Sequence, residues 1–228
     1  MSPTDPVLVK MVQYTDDWKA AKDSRYVFLS CYHLMSMNMV SAISNNEFHD
    51  SVWVNKLLHR FADYYFDSLT CYDCGDLTSK VWENAHKATC NKNLSELQYL
   101  ILGVNAHINY DLVLALFDLL KPEWKSLSET QQQQRYEDHK HVNHLIASTI
   151  DRVQDEILEP LNPMLEWVDS LLGRMDEYLI SKLITSWREN VWENTQMLLI
   201  IEQPEDYEAF RLHLEKTVLK RADTICIF

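Results

Sequence analysis

The chain has 228 residues, enough for one full-sized core, with only three glycines, six prolines and a formal net charge of −13. Three isolated glycines exclude a Gly-rich phosphate loop, and no Gly-x-Ser-x-Gly elbow is present. An acidic surface repels phosphate backbones, so nucleic acid is excluded as an expected partner.

The prolines fall where helices would begin or end, and no alternating apolar run bounded by turn residues suggests a sheet. The expected fold is all-α: a single-domain multi-helix bundle over residues 1–228, arranged around a buried central helix at about 94–120. The first thirteen residues lack a basic start followed by a long apolar run, and no stretch reaches the roughly 18 apolar residues of a membrane span. Five cysteines form an odd set that suits reduced thiols. These features give the expectation of a cytoplasmic protein with no membrane span.

In chain order, Thr4-Asp5-Pro6 starts a first helix running to about Lys22, and a second covers Ser24 to about Ser44. Asp50 caps a third, which ends at the Cys71-Tyr72-Asp73-Cys74-Gly75 turn, and a fourth runs from Thr78 to about Cys90. The central helix follows, with Asn93 and Glu96 as a capping-box-like start and no proline until Pro122. A polar connection, Lys121 to Gln134, leads into a long helix from Arg135 to about Glu159. Pro160 and Pro163 break the chain, and Asn162 caps a helix to Leu172 with Gly173 after it. Two more helices cover Arg174 to Ile201 and Pro204 to about Ala222, giving roughly nine in all.

On a helical wheel the central helix is apolar on two flanks, so other helices should surround it. Two polar seams cross it: Gly103, His107 and Asp111 on one, Gln98, Asn105 and Asn109 on the other. Unpaired buried polar groups cost roughly 1–3 kcal/mol each, so both seams must meet partners. Gly103 is costly inside a helix, and the return is close approach of another helix or room beside His107.

His107 and Asp111 stand four residues apart, as a helical metal or acid/base pair requires. The next long helix carries Asp138 and His139 at the edges of its apolar stripe. If the two helices pack antiparallel, His107, Asp111, Asp138 and His139 could share a divalent metal such as zinc, iron or manganese. A competing cysteine–histidine set is Cys71, Cys74, His86 and Cys90, whose spacing fits zinc; free thiols at a helical corner are the plain alternative.

The run Leu102-Gly103-Val104-Asn105-Ala106-His107-Ile108-Asn109-Tyr110-Asp111-Leu112 resembles the Gly-x-Asn-Ala-His-Ile-Asn-x-Asp-Leu signature of a mainly bacterial family catalogued as domain of unknown function 5995. Looser matches are Phe48, Asp50, Trp53 and Val54, then Phe61, Ala62 and Tyr65, then Trp82, and finally Asp138 with Val142 and Asn143. The resemblance singles out Asn105, His107, Asn109, Asp111, Asp138 and Asn143 and implies no assigned activity. A more distant likeness is to helical zinc phospholipase C and single-strand nuclease enzymes, which use a His-x-x-x-Asp pair on a helix. Their second His-x-x-x-acid pair is missing here, because His139 is followed four residues on by Asn143.

The leading expectation is a metal-dependent, hydrolase-like enzyme acting on a small molecule. His107, Asp111 and Asp138 would be catalytic, with Asn105, Asn109 and Asn143 holding the ligand set or cofactor in place. The alternative is a non-catalytic helical module that binds a small apolar ligand or a partner helix, with the same polar residues as a packing network.

Overall fold

A computed structural model describes residues 5–76, 79–158, 160 and 175–227. Among the described residues there are nine α-helices and no strand. They are α1 (Pro6–Ala21), α2 (Tyr26–Ser44), α3 (Ser51–Cys74), α4 (Lys80–Ala88), α5 (Glu96–Ala106), α6 (Leu112–Leu120), α7 (Glu129–Val153), α8 (Met175–Ile200) and α9 (Pro204–Ile225). A π-helical turn, His107–Asp111, joins α5 to α6 without a break, and a second one, Gln154–Leu158, extends α7. The helix expected from Asn162 to Leu172, with Gly173 after it, lies outside the described residues.

The helix ends follow local chemistry. Asp5 accepts from the Val7 N–H with Pro6 inside the first turn, and Asp50 accepts from the Trp53 N–H. Gly75 closes α3 at φ 74°, a left-handed position that suits a residue with no Cβ. The central helix starts two residues later than expected. Ser95 and Gln98, not Asn93 and Glu96, form the capping box, because only that pair satisfies two backbone N–H groups reciprocally. A similar exchange between Ser128 and Gln131 starts α7 at Glu129, six residues before Arg135.

The run Glu96–Leu120 sits at the centre, against α2, α3, α4, α8 and α9. Leu102, Ala106, Val113, Ala115 and Leu116 are all essentially inaccessible. By length and composition, this run and α2 are apolar enough to cross a membrane, which corrects the expectation that no stretch is. In the central run 78% of the apolar window is buried inside the protein, as a core helix of a bundle demands.

The expected antiparallel pairing of α7 with the central helix is not the main packing. α7 lies chiefly on α2 and α8. Where it stands off from the central helix a cavity of about 200 Å³ remains, partly open to solvent, with α5 and the π turn on one side and α7 on the other.

Candidate functional site

The two polar seams diverge as their register predicts. On the first, the Asn109 amide donates to the Asn105 Oδ1 at 3.0 Å, the Asn105 amide to the Val218 carbonyl at 3.1 Å and the Gln98 amide to the Ile225 carbonyl at 3.1 Å. This seam is therefore a strap to the last two turns of α9, in which Asn105 and Asn109 are hydrogen-bonded.

The second seam holds the candidate site. Gly103 faces α2: a Cβ built there would stand 2.5 Å from the Phe28 ring, so only glycine admits this approach. One turn on, the helix widens. The Leu112 N–H reaches back five residues to the His107 carbonyl. The wider turn places residue i+4 more nearly above residue i than an α-helix does. Asp111 accordingly lies over His107, with Oδ2 3.0 Å from His107 Nδ1. The same oxygen accepts from Trp82 Nε1 at 2.8 Å.

An aromatic cage surrounds the imidazole. Phe61 stacks on it in parallel, with centroids 3.5 Å apart, and Tyr32 meets it at 4.4 Å. Phe28, Tyr65 and Trp82 close the other directions. Burial pushes His107 well below the usual imidazole range and Asp111 well above the usual carboxylate range, so both favour their uncharged forms. His107 Nε2 is buried with no hydrogen-bond partner among the described residues. His107 lines the cavity, while Asp111 and Trp82 do not.

Asp138 and His139 also line the cavity, but in a different network. Asp138 accepts from the backbone N–H of His49 at 2.7 Å and of Asp50 at 3.0 Å, fixing the loop that enters α3. His139 Nε2 lies 2.9 Å from the Arg188 carbonyl, and Nδ1 lies 3.3 Å from Arg188 Nη2. Arg188 Nη2 donates to the His139 carbonyl at 2.6 Å, and Nε to Asn143 Oδ1 at 2.7 Å. Burial, then the neighbouring guanidinium, lowers the His139 pKa.

The four residues expected to share a metal therefore fall into two separate sets. Among the described residues, no group of three or more His, Cys, Asp or Glu side chains is placed to hold a metal ion. The available donors do not suit one either. Both Asp138 oxygens accept from backbone N–H groups, both His139 nitrogens face Arg188, and His107 Nδ1 faces Asp111. The cysteine set is likewise not gathered: Cys74 and Cys90 are exposed free thiols, Cys71 is a half-buried one, and His86 stacks on Trp82 instead.

Three participants carried no expected role in the site. Phe61 stood out only as a looser family match and Tyr32 not at all, since an aromatic at helical spacing carries no sign that a histidine will stack on it. Arg188 was missed, although a signal existed: it stands among the buried Ile184, Val191 and Trp192, at −4, +3 and +4, on the apolar face of α8.

The loosely matching positions converge. Phe61, Tyr65 and Trp82 form the cage, Asp50 and Asp138 fix the α3 entry, and Asn143 holds Arg188. A family model described as Family of unknown function (DUF5995) matches residues 4–227. No curated protein and no solved structure matches the chain.

Proposed function

We propose that this chain, which belongs to the DUF5995 family of unknown function, binds a small, largely apolar molecule in the cavity between the central helix and α7. One observation carries the reading: a cavity of about 200 Å³ with an almost wholly apolar wall, beside a caged imidazole whose Nε2 has no partner among the described residues. An apolar cavity of roughly 150 Å³ holds benzene, and pockets for drug-sized ligands start at about 300 Å³. The enclosed part of the ligand is then of roughly eight heavy atoms. The His107 ring borders that cavity, with its tautomer set by Asp111, which Trp82 holds in turn.

Titration with octan-1-ol tests this. Saturable binding at one per chain, with a raised melting temperature, is the expected result. Ile146→Phe, which fills the α7 side, should abolish it while the variant stays folded. Absence of saturable binding by the wild type sinks the reading.

The same orphan nitrogen favours a second reading, in which His107 acts as general acid or base on the bound molecule. This retains the hydrolytic chemistry expected from the sequence without a metal. Turnover of a chromogenic octanoyl ester that is lost in His107→Asn, with octan-1-ol binding retained, would support it. No turnover by the wild type would remove it.

A further inference from the structure

Arg188 is the one cation among the described residues of the cavity wall, and it has no carboxylate partner among the described residues. It is 5% exposed. Its Nε and Nη2 are held by Asn143 and by His139, while Nη1 makes no hydrogen bond to any described residue. The only carboxylate on that wall, Asp138, is spent on two backbone N–H groups. Its neighbour His139 is held neutral by burial and by the guanidinium itself. A buried guanidinium with neutral partners leaves a charge uncompensated, an expensive arrangement unless an anion completes it. Guanidinium geometry suits a carboxylate, and Nη1 is the nitrogen left for it.

We infer that the ligand is a medium-chain carboxylate, with its chain against the apolar wall and its carboxylate on Arg188. This rests on the binding function proposed above and names the chemical class of that ligand. Met35, Leu57, Val142, Ile146 and Ile184 supply apolar surface for a chain. Scaling from benzene in about 150 Å³, the cavity of about 200 Å³ encloses roughly eight heavy atoms, and its open side lets the rest of a medium chain project. Burial lowers the Arg188 pKa only to about 9, so the guanidinium stays charged at neutral pH.

The test is calorimetric titration at pH 7.5 with sodium octanoate beside octan-1-ol, which share a chain and differ in head group. Octanoate should bind at one per chain and at least tenfold more tightly. Arg188→Met removes the anchor, and Asn143→Asp gives the guanidinium a carboxylate of its own. Both should close the gap between the two ligands. Should Arg188→Met fail to fold, Asn143→Asp and the wild-type comparison still decide. Equal affinities in the wild type overturn the carboxylate inference and leave the cavity reading standing. A gap that survives in either folded variant also overturns it. Failure of both ligands to bind overturns both readings.

Discussion

At Gly103, one missing methyl group lets the Phe28 ring lie against the backbone of α5, and that ring then closes one side of the His107 cage. Tyr65 and Trp82 pack against the same ring. Gly103→Ala should therefore destabilise by about 1–3 kcal/mol as an overpacked core does, despite the better helix propensity of alanine. Pairing it with Phe28→Leu should recover part of the loss, and a double-mutant cycle in urea measures the coupling. Additive losses would mean that the close approach is not what the glycine provides. The second residue-scale prediction concerns Trp82. Trp82→Phe keeps the ring but removes the donor to Asp111, and should cost about 1–3 kcal/mol for a buried acceptor left short of a partner. A shift in denaturation midpoint checks it, and no shift would show Asp111 to be satisfied by His107 alone.

Elements are tied by polar straps at their ends rather than by apolar area alone. Asp138 on α7 holds both N–H groups at the entry to α3, and an amide can accept with only one oxygen. Asp138→Asn should cost about 1–3 kcal/mol, with faster amide exchange concentrated at His49 and Asp50. Uniform exchange across the chain would contradict a local strap. These straps show what could be read beforehand and what could not. The helix caps Asp5, Asp50 and Gly75 were legible because a cap depends on neighbours within four residues. The seam of Gln98, Asn105 and Asn109 was legible as a seam, because helical register alone aligns it. Its partners, the carbonyls of α9, lie more than 100 residues away and leave no local trace.

Across the whole molecule, buried neutral histidines set the response to acid. Burial, then the nearby Arg25, lowers His86 from 6.5 to about 4. The unfolded chain takes up that proton near pH 6.5 and the folded chain only near pH 4, so stability is full above the first value and falls towards the second. His139 acts in the same sense. His107 does too, but Asp111, held protonated by burial, acts in the opposite sense, and the pair largely cancels across this window. Melting temperature should drop steadily from pH 7 to pH 4, and His86→Phe, which preserves the stack on Trp82, should flatten the drop. A wild-type melting temperature that is flat over that range would contradict the buried, uncharged state of these rings.

The sequence by itself determined the all-helical class, most helix boundaries, the buried central helix and the face on which Gly103, His107 and Asp111 stand together. These are consequences of register and of caps, which act over a few residues. It also marked Asp138, His139 and Asn143, which the structure places at the α3 entry and around Arg188. Only the tertiary structure decided that α7 lies on α2 and α8, leaving a cavity beside the central helix. It alone widened the helix at His107, stacked Phe61 on the imidazole and set Arg188 in the wall with no carboxylate partner among the described residues. Each of these depends on which helix faces which across the core. Apolar faces fit one another in many ways, and the summed packing of the whole chain chooses between them.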